Sequence, residues 1–298
     1  MNTAGKLAAF AAVVAVGFGA AAAVGSAVGP IDVSSESVTH DTHGGADQVG
    51  PADLPRGLAI AGGGYRLALD ATVVPAGETA PFGFAIVGDD GETLTAFDEL
   101  HERPLHLIVL SRNMVDYLHL HPTLDATGHW TVELPALDPG SYRVFADFQP
   151  ADDANLTLGT DITVPGEVSY VELPNVSDVV TVDGYTVTMT GTPARGDSDL
   201  SFTVARDGQV VRTDPYLGAA GHLVAIRDGD LAYLHVHPTQ GESMPAVTFT
   251  AEFPTAGLYR LFFDFSVDGT VRTASFTVDV PDTGHDGAGP MDSHEEGH

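Results

Sequence analysis

The sequence predicts an all-β protein: two tandem immunoglobulin-like β-sandwiches after an N-terminal hydrophobic helix. Three observations carry this. The chain repeats with a period of about 117 residues, too long for a solenoid unit, so each copy is a domain. PLHLIVLSRNMVDYLHLHP (104–122) matches AGHLVAIRDGDLAYLHVHP (220–238), and GSYRVFADF (140–148) matches GLYRLFFDF (257–265). Within each copy, short alternating or apolar runs recur between Gly, Pro and Asp, with no long 3.6-residue apolar period. Both copies also place Gly-x-Tyr ahead of an apolar strand, at Tyr142 and Tyr259, the pattern of a tyrosine corner without the cysteine that follows it in antibodies.

The elements follow in order. Residues 1–31 hold Lys6, the only lysine, and then an uncharged run from Leu7 to Val28. At about 1.5 Å per residue that run is long enough to cross a bilayer. The single cation ahead of it directs the rest of the chain outward. Its length favours a retained membrane anchor, while the small residues from Ala23 to Ala27 suit a cleaved signal peptide. Either way the protein is expected to be exported. Residues 32–56 are polar and rich in Gly, Ser and Asp, as a flexible linker is. Repeat 1 spans 57–166 and repeat 2 spans 167–280; residues 281–298 form a His- and Asp-rich flexible tail. His40 and His43 in the linker and His285, His294 and His298 in the tail, with Met291, are weak metal collectors or simply solvated.

Composition excludes several functions. The 298 residues carry 41 Asp plus Glu against 12 Lys plus Arg, a formal charge of -29, so no nucleic-acid partner is expected. A metal cation suits this surface better. With 0 cysteines there are no disulfides, no thiol catalysis and no thiolate-dependent copper centre. No nucleophile elbow, phosphate loop or paired-carboxylate motif points to an enzyme. No motif identifies a protein partner.

The histidines carry the chemistry. In repeat 2, Asp228-Gly229 between apolar runs predicts a two-residue hairpin turn, which places His222 opposite His235 with Cβ atoms about 5 Å apart. His237 points to the same side by the period of two, beside Val224, Ile226, Leu231 and Tyr233. Repeat 1 keeps the spacing around Arg112-Asn113, so His106, His119 and His121 should meet likewise. Sandwich topology brings Asp264 near His222 and Asp147 near His106. If Tyr259 points inward, however, alternation sends Asp264 to the other face, so a bulge corrects this or the aspartate is structural. Three neutral imidazoles with a carboxylate suit Zn(II) or Cu(II). The expected metal ligands are therefore His106, His119, His121 and Asp147 in one site and His222, His235, His237 and Asp264 in another, two tight ions in all. Mutual repulsion should hold the pKa values of such clustered histidines below about 6.5. The bland alternative, that each His-x-His satisfies backbone groups at a strand end, stands for one copy and weakens for two. His101 and His129 have no counterpart in repeat 2 and read as surface residues. Trp130, Tyr117 and Tyr233 read as packing, and Arg143 and Arg260 as structural ion-pair partners.

The segments HLIVLSRNMVDYLHLHP with GSYRVFADF, and GHLVAIRDGDLAYLHVHP with GLYRLFFDF, resemble exported actinobacterial tandem-repeat proteins of unassigned function. They are also similar to single HLHP/YRxFxD modules of bacterial proteins associated with heavy-metal, especially copper, handling. That resemblance implies an extracytoplasmic copper- or zinc-binding protein for metal buffering or delivery. LHVHP is similar, locally, to the His-x-His strand of copper/zinc superoxide dismutases, whose further histidines are missing here. The alternative is a non-catalytic immunoglobulin-like adhesion or interaction module with structural histidines.

Overall fold

The computed structural model describes residues 55–169, 171–234, 236–238 and 246–282, and for His237 and Pro238 the backbone only. The N-terminal hydrophobic run, most of the linker, the tail beyond residue 282 and His235 lie outside the described residues. Among the described residues no helix is long and apolar enough to cross a membrane.

Repeat 1 contains β1 (Ala61–Gly62), β2 (Tyr65–Leu69), β3 (Ala80–Gly88), β4 (Phe97–Asp98), β5 (Leu105–Ser111), β6 (Tyr117–Leu120), β7 (Thr123–Leu124), β8 (His129–Leu134), β9 (Gly140–Pro150) and β10 (Leu156–Val164). Repeat 2 contains β11 (Val179–Val182), β12 (Tyr185–Thr190), β13 (Gly196–Arg206), β14 (Gln209–Val210), β15 (His222–Arg227), β16 (Tyr233–Leu234), β17 (Val236–Pro238), β18 (Val247–Phe253), β19 (Gly257–Val267) and β20 (Thr270–Val280). The sheets run β1-β2-β3-β8-β7 and β10-β9-β5-β6 in the first, and β11-β12-β13-β18-β17 and β16-β15-β19-β20 in the second. Each repeat is thus an immunoglobulin-like antiparallel sandwich whose hairpin strand hands the chain from one sheet to the other. The tyrosine corners close as expected: Tyr142 donates to Asp138 O at 2.9 Å and Tyr259 to Thr255 O at 2.8 Å.

Each sandwich has its own core, centred on Phe84, Trp130 and Phe148 in repeat 1 and on Phe202, Phe249 and Phe263 in repeat 2. A third apolar layer joins the repeats: Ile108, Leu110, Met114 and Phe145 pack with Val224, Ile226, Leu231 and Phe262. Alternation explains it. In β5, Leu105, Leu107 and Val109 enter the repeat's own core, whereas His106, Ile108 and Leu110 face outward. In β19, Tyr259, Leu261 and Phe263 enter the core, and Arg260, Phe262 and Asp264 face outward. Because the outward faces cover each other, Ile108, Phe145 and Phe262 are fully buried, each worth roughly 1.5–3 kcal/mol. Tyr117 stacks on Phe262 across the boundary, ring centroids 4.1 Å apart and 5° from parallel. Arg56, at the linker's end, is held by an antiparallel bridge to Tyr233.

Candidate metal centre

The histidine hairpins close differently from the two-residue turn that their sequences predict. Ser111 N bonds Asp116 O at 2.9 Å, and Arg227 N bonds Ala232 O at 3.0 Å, so each loop holds four residues. The register moves by two: Ile108 pairs with His119, and Ile226 with Tyr233. A shift of two preserves every side chain's face, so in repeat 1 His106, His119 and His121 still converge although their partners change. Apolar loop residues cause the shift, since Met114 and Leu231, both left-handed, turn into the layer between the repeats.

In repeat 1 the three predicted histidines meet. One ring nitrogen from each of His106, His119 and His121 lies within 4.8 Å of the other two. The hydrogen bonds fix which nitrogens are bare. His106 Nε2 lies 2.8 Å from Leu100 O, which only accepts, so Nε2 carries the hydrogen and Nδ1 the lone pair. His119 Nδ1 donates to Asp264 Oδ2 at 2.7 Å, which leaves its Nε2 turned to the cluster. That Nε2 lies 2.9 Å from His106 Nδ1. Two lone pairs at this distance repel unless a cation stands between them, either a proton on His119 Nε2 or a metal ion held by both. Two nitrogens on one tetrahedral zinc, each about 2.0–2.1 Å from it, stand roughly 3.3 Å apart, so small movements suffice. His121 Nε2 is buried with no hydrogen-bond partner.

Repeat 2 completes the surroundings. His222 pairs with Asp264 across β15 and β19, just as His106 pairs with Asp147 across β5 and β9. The expected conflict between Tyr259 and Asp264 disappears without a bulge, because His222 faces outward with the aspartate it pairs with. Asp264 also accepts from Tyr117 OH at 3.3 Å and Thr273 Oγ1 at 2.5 Å, so it orients His119 from the other repeat. Asp147 instead accepts from Thr157 at 2.8 Å and Asn155 at 3.1 Å. Neither carboxylate belongs to the converging nitrogen set. His222 Nε2 donates to Tyr216 O at 3.1 Å, and its ring centroid lies 6.3 Å from those of His106 and His119.

Burial keeps His106, His121 and His222 neutral. Desolvation, then His119 nearby, lowers His106 to about 2 and His121 to about 4. His222 falls to about 4 through desolvation, then His101 and His119. Repulsion was the expected cause, and burial exceeds it because the two repeats cover the site. Burial likewise raises Asp147.

The rest of the predicted set divides. His237 pairs in backbone with Thr250 of β18, so β17 joins the opposite sheet and does not continue the β15–β16 hairpin. His129 pairs with Asp70 at 2.9 Å on the surface. Arg143 bridges Asp161 at 3.2 Å, and Arg260 binds Met114 O at 3.1 Å and Thr277 Oγ1 at 2.9 Å. His101, read from sequence as a surface residue, is exposed yet belongs here: its ring lies 5.0 Å from that of His222 and 6.1 Å from that of His106. The alignment of repeats sets Leu217 opposite it and so hides its role. The usable signal was its place five residues before His106.

One family model matches the chain twice, at residues 59–166 and 180–282, under the description Domain of unknown function (DUF8832). No curated protein matches. Similar solved structures include FdeC, an Escherichia coli adhesin, at 15% identity, TM-score 0.24, covering 73% of this chain and 64% of that one. Invasin, a bacterial integrin-binding protein, gives 14% identity, TM-score 0.23 and coverage of 72% and 39%. The Yersinia pseudotuberculosis adhesin InvE gives 12%, TM-score 0.23 and coverage of 72% and 58%. This chain therefore spans less than two thirds of each, and at such scores the likeness carries no argument about function.

Proposed function

The chain belongs to the family described as Domain of unknown function (DUF8832), and from that premise, which brings no activity with it, we propose that the protein binds a transition-metal ion between its two repeats. The ion is copper, or else zinc, held outside the cytoplasm for buffering or delivery. The observation that carries this reading is the pair of nitrogens of His106 and His119 facing each other at 2.9 Å, each ring's other nitrogen engaged by an acceptor. Metal-bound histidines are oriented in this way by partners on the far nitrogen. The buried, unpartnered Nε2 of His121 offers a third ligand. A site of imidazoles without thiolates suits Cu(II) and Zn(II). The uncharged run after Lys6 supports export, and membrane anchoring is part of the same proposal. No catalytic step is proposed.

A second reading has its own observation. The hydrogen bond from His119 to Asp264 crosses from one repeat to the other, so His119 also serves as a structural fastener of a non-catalytic adhesion or interaction module. Metal content of the intact protein after dialysis, compared with His106→Ala/His119→Ala, separates the two. Loss of one tightly held ion in the variant supports the metal site. Equal metal content, with a much lower melting temperature of the metal-free variant, supports the fastener.

A further inference from the structure

We infer that the cavity beside the triad is the route by which the ion reaches it, with His101 the transfer ligand at its mouth and His222 the next imidazole inward. The inference rests on the metal-binding reading above.

The triad needs a route. His106 is 5% exposed and the His119 side chain 7%, and although His121 is half-buried its Nε2 is covered, so the ligand nitrogens do not face bulk solvent directly. Beside them lies a cavity of about 200 Å³ between the repeats, lined by His101, His106, His119 and His222 together with Asp147 and Arg56. The Asp147 carboxylate offsets the Arg56 charge that would repel a cation there. The exposed ring of His101 lies 5.0 Å from that of His222, which lies 6.3 Å from those of His106 and His119. An ion can thus pass by exchanging one imidazole for the next, with no step into a ligand-free apolar gap.

The repeats themselves mark His101 as an addition. The turn before β5 and the turn before β15 share one backbone form, closed by the bridges Leu100 to Arg103 and Tyr216 to Ala219. Both hold two successive left-handed residues: His101 and Glu102 at φ 52 and 63, Leu217 and Gly218 at φ 53 and 76. The two turns meet, since a Cβ on Gly218 would stand 3.4 Å from Glu102 Cγ. In both, the strand histidine donates Nε2–H to the carbonyl six residues upstream, Leu100 or Tyr216. Turn formation therefore does not require a histidine at 101, because leucine serves at 217. What His101 adds is a nitrogen ligand at the outer end of the cavity.

The test is stopped-flow loading of the full chain with Cu(II) alone, with His106→Ala/His119→Ala identifying the phase that belongs to the triad and not to the His-bearing ends. His101→Leu copies the residue that repeat 2 uses, and His101→Gln checks that result in a polar side chain. The expected outcome for both is loading at least tenfold slower, release to a chelator slower by the same factor, and unchanged equilibrium affinity and melting temperature. Unchanged rates overturn the inference while leaving the site itself intact. A fall in affinity with unchanged release makes His101 a resident ligand, which also overturns it. If the parent chain shows no triad phase at all, the metal-binding reading fails and the route with it.

Discussion

The two repeats carry nearly the same hairpin sequence, and their chains pass to the opposite sheet at different points. In repeat 1, β6 stays paired with β5 through Leu120, and the chain joins the opposite sheet only at β7, Thr123–Leu124. In repeat 2, β16 ends at Leu234 and β17 already pairs with β18 from Val236, the position equivalent to Leu120. The aspartates diverge too. Asp264 is held by Thr273, Tyr117 and His119, the last two from repeat 1, whereas Asp147 is held by Thr157 and Asn155 of its own repeat. The repeat thus supplies two equivalent frames, and face-to-face packing sets the His106, His119 and His121 cluster of repeat 1 against the Asp264 carboxylate of repeat 2.

The largest expected difference between the repeats is in their aspartates and ligands. His119→Ala should weaken Cu(II) or Zn(II) binding by at least about 100-fold, and Asp264→Asn by about 10- to 100-fold, because an amide orients the His119 ring less well than a carboxylate. Asp147→Asn should leave affinity within about threefold. Competition with a chelator measures all three, and equal losses from both aspartates would erase the distinction drawn here.

The pH dependence of the metal-free protein comes next. His106, His121 and His222 have folded values of about 2, 4 and 4, below the 6.5 of the free side chain. As pH falls below about 6.5, the unfolded chain takes up protons that the folded chain refuses, so stability is full above that pH and declines towards pH 4. Denaturant midpoints at pH 7.5 and pH 5 should show this decline. It should be smaller in His106→Gln, which removes the most depressed group, and an equal decline would place the titrating groups elsewhere.

The smallest effect concerns what the repeats share. Tyr142→Phe removes one corner hydrogen bond and should cost about 0.5–1.5 kcal/mol in chemical denaturation, whereas Tyr259→Phe also loses the 2.9 Å bond to Thr255 Oγ1 and should cost more. A larger cost for Tyr142→Phe than for Tyr259→Phe would contradict this ordering.

Much of this was legible in the sequence because repetition samples the same design twice. The period, the tyrosine corners and the shared face of His106, His119 and His121 all follow from spacing and alternation. The hairpin register did not, because Asp228-Gly229 reads as a complete turn while burial of Leu231 and Met114 between the repeats lengthens both loops. Nor did the partnership of His119 with Asp264, 145 residues apart, since alternation assigns a face but not what covers it. The apolar run LHLIVL did hold that information: a strand buried on both faces needs a second layer outside its own sandwich.

The most direct test of the central claim is a crystal structure of the copper- or zinc-loaded protein with anomalous data at the metal edge. The account predicts a strong peak about 2.0–2.2 Å from His106 Nδ1 and His119 Nε2, with His121 as a further ligand and Asp264 bonded to His119 rather than to the ion. A peak on the terminal histidines with none between the repeats would contradict it.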